Sequence, residues 1–201
     1  FRSDTIRANR DHLSELDGAA GDGDHGINMS KGMGLALEQL DGLPDPDMTT
    51  GFQTVSAVLM GRIGGSMGPL YGSLFRGLAV ASRGREEVDA ATMAAMLAKG
   101  LASVGRVTDA QVGDKTLMDV LVPATAAFTA AQEAGAPFSE CCDALAAAAE
   151  AGLESTRHLV ARIGRAARLG ERSRGHLDAG AASCCLVLTA IARASNDLLD
   201  A

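Results

Sequence analysis

The chain has 201 residues and a mass of 20.5 kDa, a length that one domain often reaches and that suffices for a hydrophobic core. Hydrophobic residues make up 47% and charged residues 21%, so the chain is too apolar for disorder, and its charges are scattered enough to exclude a membrane span. The formal net charge of −7 leaves no basic face for a nucleic-acid backbone. We therefore expect one soluble domain over residues 1–201, with neither a nucleic-acid nor a membrane partner.

The composition also predicts the fold class. The chain contains 37 Ala against five Phe, one Tyr and no Trp. Alanine is the best helix former, whereas aromatic and β-branched residues favour strands. An all-α domain is therefore expected.

Two features of the chain indicate its compartment. The segment Phe1–Thr5 has no basic region followed by an apolar stretch, so it does not resemble a signal peptide. The cysteines form adjacent pairs, Cys141-Cys142 and Cys184-Cys185, which fits neither zinc-site spacing nor a disulfide framework. We expect a cytoplasmic protein in which one cysteine of each pair is a small buried hydrophobic residue.

Apolar periodicity, read between Gly, Pro and Asp breakers, predicts eight helices. They cover residues 2–16, 26–40, 50–63, 68–82, 88–106, 116–134, 139–160 and 180–199. Three of the seven connections contain ordinary turn residues, namely 41–47, 82–86 and 135–137. The other four combine glycines with charged or hydroxyl side chains, namely 17–26, 64–69, 111–116 and 164–180.

These four unusual connections join helices 1–2, 3–4, 5–6 and 7–8. In an antiparallel up-and-down arrangement with short loops, every odd-to-even connection lies at the same end. The four loops are therefore predicted to meet there, with the three plain turns at the opposite end. The alternation predicts a ligand site at one end of the molecule.

The first of these loops carries three carboxylates. Asp17, Asp22 and Asp24 fall within eight residues and alternate with glycines, which let the backbone fold tightly. Oxygen ligands of this kind suit Mg²⁺, which often binds a few carboxylates together with the phosphates of a nucleotide. Gly26 opens the next predicted helix, whose free N–H groups form an anion site. Asp-Gly turns and an Asp N-cap also occur without any ligand, so both interpretations stay open here.

Several familiar nucleotide and calcium motifs do not apply. Residues 21–26 match G-x-G-x-x-G by letter, but the preceding residues 13–16 continue a helix and not the required strand. The EF-hand pattern fails because Gly26 and Met33 stand at its fifth and twelfth positions. No G-x-x-x-x-G-K-[ST] motif occurs. Any nucleotide site is therefore of another kind.

The second loop matches the G-x-S-x-G pattern of hydrolases at residues 64–68. Ser66 would then be a nucleophile, with His158 or His176 as its base. That motif requires a strand-to-helix turn, which an all-helical chain lacks. A helix N-cap or a ligand contact is the favoured interpretation of Ser66.

The fourth loop contains a cluster of arginines, Arg162, Arg165, Arg168, Arg172 and Arg174. Most members of such a run usually form a solvated surface. A phosphate-transfer site also needs a positive group beside its metal, and this cluster is the only local source of several.

Four motifs together carry a resemblance to a known family. They are the run Leu16-Asp17 … Gly21-Asp22-Gly23-Asp24-His25-Gly26-Ile27-Asn28-Met29, then 65–72, then Gly113-Asp114-Lys115-Thr116, and then 170–181. In this order they resemble the signatures of the dihydroxyacetone kinase L family, the nucleotide-binding subunit or C-terminal domain of dihydroxyacetone kinases. The resemblance covers essentially the whole chain.

The resemblance implies an eight-helix antiparallel barrel that holds ADP or ATP and two Mg²⁺ ions at one end. The implied metal ligands are Asp17, Asp22 and Asp24. The implied nucleotide contacts are His25, Gly26, Ile27, Asn28, Ser66, Met67, Thr108, Leu117, Arg165, Asp178, Ala179 and Gly180. Arg165 is the implied catalytic residue.

Two loops depart from the usual family pattern. The second loop more often reads Gly-Ala-Ser-Gly-Pro, whereas this chain has Ser66 and Met67 between its glycines. The fourth loop has Asp178-Ala179-Gly180 where Asp-Pro-Gly is usual. Met67 offers no hydroxyl group to a ligand.

The family implies phosphoryl transfer to dihydroxyacetone, or a related small ketose, held on a separate K subunit. In one mode ADP stays bound and is rephosphorylated by a phosphohistidine protein of the phosphotransferase system. In the other mode ATP exchanges as an ordinary cosubstrate. The stand-alone length favours the first mode. The alternative from a different functional class is a nucleotide-loaded regulatory module without transfer. Self-association as a homodimer is a separate expectation about the partners of the chain.

Overall fold

A computed structural model describes residues 4–199, and the side chains of residues 5–196. No strand occurs among these residues, so the predicted all-α class is confirmed. The α-helices are α1 Asp4–Ala8, α2 Arg10–Gly18, α3 His25–Asp41, α4 Met48–Arg62, α5 Met67–Ala81, α6 Ala90–Val104, α7 Met118–Glu133, α8 Phe138–Ser155 and α9 Ala179–Leu199. Two 3₁₀ helices, Thr156–His158 and Ala166–Ser173, lie between α8 and α9.

The first predicted helix, 2–16, is interrupted at Asn9, which separates α1 from α2. The side-chain amide of Asn9 donates to the carbonyl oxygen of Thr5 at 2.8 Å, in competition with the backbone ladder. Residues 2 and 3 of this prediction lie outside the described residues.

The seventh predicted helix, 139–160, ends early, at Ser155. The hydroxyl groups of Ser155 and Thr156 donate to carbonyl oxygens three residues back, at 2.7 Å each. These bonds compete with continued α-helix, and the chain becomes extended at Leu159. The fourth loop is correspondingly longer than predicted and contains a 3₁₀ helix that is kinked at Gly170.

The described chain divides into two compact units. The first comprises the residues up to Ile27 and from Ala110 onward. In it α7 packs on α8 and α8 on α9, while α9 also contacts α1 and α2. Its core includes Leu13, Leu121, Phe128, Leu145 and Val187, all at most 3% exposed.

The second unit is Asn28–Asp109. Here α4 packs on α5 and α5 on α6, as expected for antiparallel neighbours joined by short turns. Asp47 and Asp89 cap α4 and α6, because each accepts the N–H of the residue three positions on at 2.7 Å. Helix α5 approaches α6 so closely that a Cβ at Gly77 would lie 2.5 Å from the Cα of Gly100. The closed eight-helix barrel remains a prediction.

All four cysteines are buried, both members of each pair, where one of each was expected. Cys141 and Cys142 lie in the first two turns of α8, and Cys184 and Cys185 lie in α9, in the same unit. Burial raises the pKa of Cys142 and Cys185 to about 11, so these thiols stay protonated and unreactive at neutral pH. Among the described residues, no helix has the length and apolar character needed to cross a membrane.

Candidate nucleotide and metal site

The loop between α2 and α3 folds around Asp17, which lies in the last turn of α2. The N–H of Gly21 donates to the carbonyl oxygen of Asp17, and a Cβ at Gly21 would approach the Asp17 carboxylate to 2.5 Å. Gly23 adopts a φ of +77°, which L side chains rarely take. Gly21 and Gly23 are therefore needed for the loop to close on itself.

This loop brings the three predicted carboxylates together. One oxygen of each of Asp17, Asp22 and Asp24 lies within 4.8 Å of the others. Asp17 and Asp24 are half-buried and Asp22 is exposed. Three carboxylates at this spacing repel one another unless a cation joins them, and oxygen donors of this kind fit Mg²⁺.

His25 begins α3 with its side chain turned inward. Its backbone N–H donates to Asp17 Oδ2 at 3.3 Å, and its Nε2 lies 2.8 Å from the hydroxyl of Ser183 in α9. Burial lowers the pKa of His25 to about 4, against the opposing effect of Asp17, so the ring is neutral at neutral pH. The imidazole therefore links the loop to α9 without adding a positive charge.

Gly26 has a packing role beside its predicted contact with phosphate. A Cβ at this position would overlap the carbonyl oxygen of Arg10 and come within 2.8 Å of the Ser14 nitrogen in α2. Only glycine lets the start of α3 approach α2 so closely. The next residue, Ile27, is 55% exposed.

The fourth loop reaches the carboxylate cluster through Arg165. Its guanidinium forms an ion pair with Asp22. An open cavity of about 600 Å³ lies beside this pair, and it is lined by residues 18–22 together with Arg165, Arg168, Leu169 and Arg172. Within the described part of the chain, no carboxylate lies within ion-pair distance of Arg168 or Arg172. The cavity thus offers positive charge next to the predicted metal ligands.

The third loop is held by the buried Asp119. Its two carboxylate oxygens accept the N–H groups of Gly113 at 2.6 Å and Thr116 at 2.7 Å. The third and fourth loops also meet, because Arg162 donates its N–H to the Asp114 carbonyl at 3.2 Å. Its guanidinium lies 3.6 Å from the Asp114 carboxylate.

The predicted residues 178–180 lie at the start of α9. The N–H of Asp178 donates to the Thr156 hydroxyl at 3.1 Å, and Asp178 Oδ2 accepts the N–H of Ala181 at 2.7 Å. Burial of the carboxyl group raises the pKa of Asp178 to about 6, although the Ala181 N–H and the charge of Lys115 oppose this. A Cβ at Gly180 would lie 3.7 Å from the backbone nitrogen of Leu117, so the predicted residues of the third and fourth loops are neighbours.

Four predicted contacts belong to the second unit. Asn28 is half-buried in the first turns of α3, and Thr108 is half-buried in the connection after α6. Ser66 precedes α5 and is exposed, with no capping hydrogen bond from its side chain to the described residues. Met67 is the first residue of α5 and is 9% exposed. The predicted convergence of loop 64–69 with the other three loops remains a prediction.

Sequence reasoning missed the buried residues that support the site. These are Lys115, Asp119, Thr156 and Ser183. Lys115 stands in the third motif, yet nothing in its spacing indicates which groups it contacts. Ser183 lies 158 residues from His25, so local patterning carries no signal for this pair.

Comparison with known proteins connects this geometry to a family. The profile of the DAK2 domain matches residues 19–193. The ADP-binding subunit DhaL of PEP-dependent dihydroxyacetone kinase 2 from Listeria innocua is 39% identical over 188 residues, covering 92% of this chain and 87% of that subunit. The ADP-binding subunit DhaL of the PTS-dependent dihydroxyacetone kinase from Lactococcus lactis is 36% identical over 181 residues, with coverages of 90% and 86%.

A solved structure has a similar fold. The crystal structure of the dihydroxyacetone kinase from C. freundii in complex with AMP-PNP and Mg²⁺ matches with a TM-score of 0.67 and 25% identity. This match covers 96% of the present chain and 32% of that kinase, so the chain spans about a third of that protein. The predicted family and the predicted enzyme class, a kinase subunit, are confirmed. The chain belongs to the DAK2 domain family, which is the dihydroxyacetone kinase L family that its four motifs resemble.

Proposed function

We propose that this chain is the nucleotide-binding subunit of a dihydroxyacetone kinase and transfers a phosphoryl group to dihydroxyacetone, or a related small ketose, on a partner K subunit. The observation that carries the proposal is the cluster of Asp17, Asp22 and Asp24 with Arg165 beside it. Relatives named ADP-binding subunits, which the chain matches over most of their length, support the same function. We further propose that residues 1–201 act as one nucleotide-binding domain in the cytoplasm.

The proposed Mg²⁺ ligands are Asp17, Asp22 and Asp24. The family resemblance implies two Mg²⁺ ions. Bound Mg²⁺ neutralises phosphate charge and orients the phosphoryl group for in-line transfer. Without it, three carboxylates would repel a nucleotide in a chain whose net charge is already −7. The site therefore requires the cation for nucleotide binding as well as for transfer.

The nucleotide would lie against the start of α3 and the neighbouring loops. Backbone N–H groups in the first turn of a helix bind phosphate oxygens, which suits Gly26, Ile27 and Asn28. His25 would act through its backbone and orientation, because its ring is buried and neutral. The remaining proposed contacts are Ser66, Met67, Thr108, Leu117, Asp178, Ala179 and Gly180.

Arg165 is proposed as the catalytic residue. Its guanidinium pairs with Asp22 and lies at the cavity beside the carboxylate cluster. If Asp22 ligates the cation, the guanidinium of Arg165 would be able to turn toward the phosphoryl group. A positive group aimed at the moving phosphoryl stabilises the charge that spreads over its oxygens in the transition state.

We propose that ADP stays bound and is rephosphorylated by a phosphohistidine protein of the phosphotransferase system. The similarity to the subunit named PTS-dependent supports this mode. The alternative is an L domain of an ATP-dependent kinase, which the C. freundii match with AMP-PNP supports. A regulatory module that binds nucleotide without transfer is the third candidate.

Calorimetric titration of the chain with ADP tests the proposal. Binding is expected in Mg²⁺ and is expected to be lost in EDTA. Adding a K subunit, dihydroxyacetone and either ATP or a phosphorylated donor protein then separates the candidates by which donor yields dihydroxyacetone phosphate. No nucleotide binding in Mg²⁺ would overturn the proposal, whereas binding without transfer from either donor would favour the regulatory module.

A further inference from the structure

Lys115 is a charged residue in the interior of the first unit. It is 2% exposed and has a φ of +62°, one of two non-glycine residues with positive φ among those described. Burial of an ammonium group is costly unless hydrogen bonds and opposite charges compensate for it. Such a side chain in this conformation requires a specific set of partners.

The partners of Lys115 lie on two other segments. Its Nζ donates to the carbonyl oxygen of Thr156, just after α8, and to that of His176, in the segment before α9. Asp178 and Asp119 attract the ammonium group, while Arg157 and Arg174 repel it. Burial is the largest influence on its pKa and lowers it.

These contacts exclude one obvious role. A lysine in a phosphate-transfer protein can bind phosphate as a point charge, which requires its ammonium group to reach the ligand. Here the ammonium group is enclosed and directed at two backbone carbonyls. Lys115 is therefore not positioned to contact a nucleotide directly.

The same contacts do hold the proposed nucleotide segment. Thr156, whose carbonyl accepts from Lys115, also accepts the N–H of Asp178 through its hydroxyl. Asp178 in turn accepts the N–H of Ala181 and so caps α9. His176 is thus two residues before Asp178 in the chain, and Thr156 is linked to Asp178 by one hydrogen bond.

We propose that Lys115 is a positioning residue that ties the end of α8 to the start of α9 and so holds Asp178–Gly180 beside Leu117 for nucleotide binding. The part that concerns the nucleotide rests on the proposed function. The tie itself concerns only the fold of the first unit.

The test compares Lys115→Met with Leu145→Ala. Methionine is unbranched like lysine and one heavy atom shorter, and it donates no hydrogen bond, so both carbonyls lose their partner. Leu145 is a buried α8 residue, 3% exposed, that lies outside the proposed site. Its truncation lowers stability without removing a hydrogen bond of the tie. Both variants are studied below their unfolding temperatures. Should Lys115→Met fail to fold, Lys115→Leu, which is likewise uncharged and donates no hydrogen bond, takes its place.

Two readouts are used. Hydrogen exchange of the Asp178 and Ala181 amides, relative to the slowest amides of α7, is expected to rise about tenfold or more in Lys115→Met and to stay unchanged in Leu145→Ala. The Kd for ADP in Mg²⁺ is expected to rise about tenfold in Lys115→Met and less than about twofold in Leu145→Ala.

The two readouts distinguish the tie from the positioning role. Unchanged relative exchange in Lys115→Met overturns the tie, and faster exchange with unchanged ADP affinity overturns the positioning role. Equal losses of affinity in both variants reduce Lys115 to a stability residue. If the wild-type chain fails to bind ADP, the proposed function and the nucleotide role fall together, while hydrogen exchange still decides whether the tie exists.

Discussion

Asp24 lies in a loop where three carboxylates converge. Its negative charge is repelled by the other two carboxylates in the metal-free chain, and it attracts a bound cation. We expect Asp24→Asn to weaken Mg²⁺-dependent ADP binding by at least about tenfold, because it removes a charged ligand from a site that must offset several phosphate charges. Removing one of three repelling charges should also leave the metal-free chain at least as stable. Calorimetry and denaturation in EDTA measure the two effects.

Asp143→Asn is the matched control for this prediction. Asp143 is an exposed residue near the start of α8, so its substitution changes the net charge equally but leaves the loop intact. Its ADP affinity is expected to equal that of the wild type. Equal weakening in both variants would mean that net charge, and not metal ligation, governs binding.

The charge of Arg165 is expected to act mainly in the transition state. Arg165→Ala should slow phosphoryl transfer by about a hundredfold or more while changing ADP affinity much less, since a group aimed at the moving phosphoryl adds little to ground-state binding. Single-turnover kinetics with the K subunit, together with calorimetry, separate the two quantities.

Arg168→Ala controls for the loss of positive charge at the same cavity. Arg168 lines the cavity three residues further on, without the contact to Asp22. Its transfer rate is expected to stay within a few-fold of the wild type. Equal losses of ADP affinity and transfer rate in Arg165→Ala would mean that Arg165 only binds the anion. No loss of either would mean that Arg165 is an ordinary residue of the solvated surface.

At the scale of residues, the acidic loop could be predicted from sequence because its members are close in the chain. Three aspartates separated only by small residues must fold near one another. The neighbours of His25 and Lys115 could not be predicted, because Ser183, Thr156 and His176 come from distant segments. Helix packing brings them together, and the patterning of single residues does not encode that packing.

At the scale of elements, helix ends followed the sequence where a single residue signals them. The Asp47 and Asp89 caps begin helices within two residues of the predicted starts. The prediction failed where side chains and backbone compete, as at Asn9 and at Ser155 and Thr156. Each of these residues also occurs inside helices, so its identity alone does not reveal the interruption.

The contact between α7 and α8 supports the third loop and can be tested at Gly152. A Cβ there would overlap the carbonyl oxygen of Asp119 and lie 3.1 Å from the Cα of Val120. These are backbone atoms at the start of α7, which cannot move aside cheaply. Overpacking costs about 1–3 kcal/mol, and the gain in helix propensity from Gly to Ala is about 1 kcal/mol. The cost exceeds the gain by up to about 2 kcal/mol, so we expect Gly152→Ala to lower the free energy of unfolding by up to about 2 kcal/mol in urea denaturation.

Gly61→Ala provides the comparison, because Gly61 is an exposed residue of α4 with open space around its Cβ position. This variant should be as stable as the wild type or more stable by up to about 1 kcal/mol. A Gly152→Ala variant that matched Gly61→Ala would show that α7 and α8 are not in close contact in solution.

At the scale of the whole molecule, the alternation of plain turns and unusual loops predicts which connections lie together. Loops 17–26, 111–116 and 164–180 belong to one compact unit, where hydrogen bonds or ion pairs join the fourth loop to each of the other two. Loop 64–69 belongs to the other unit. The antiparallel alternation of the helices predicts the end of the molecule at which a loop lies. The contacts that the loops make with one another at that end depend on side-chain packing.

The chain on its own is expected to lack a binding site for the ketose. Its cavity beside Asp22 is lined by three arginines, which suits an anion and offers little to a small neutral ketose. Dihydroxyacetone has few groups to bind, so a site must recognise each of its oxygens. A partner surface would supply that recognition and would also exclude the water that competes for the phosphoryl group. We therefore expect the chain with Mg²⁺, dihydroxyacetone and either phosphoryl donor to form no dihydroxyacetone phosphate in a coupled assay. Turnover should appear only when a K subunit is added, and a K subunit alone should be inactive. Steady turnover by the chain without any second subunit would contradict the prediction and would require a ketose pocket in the chain itself.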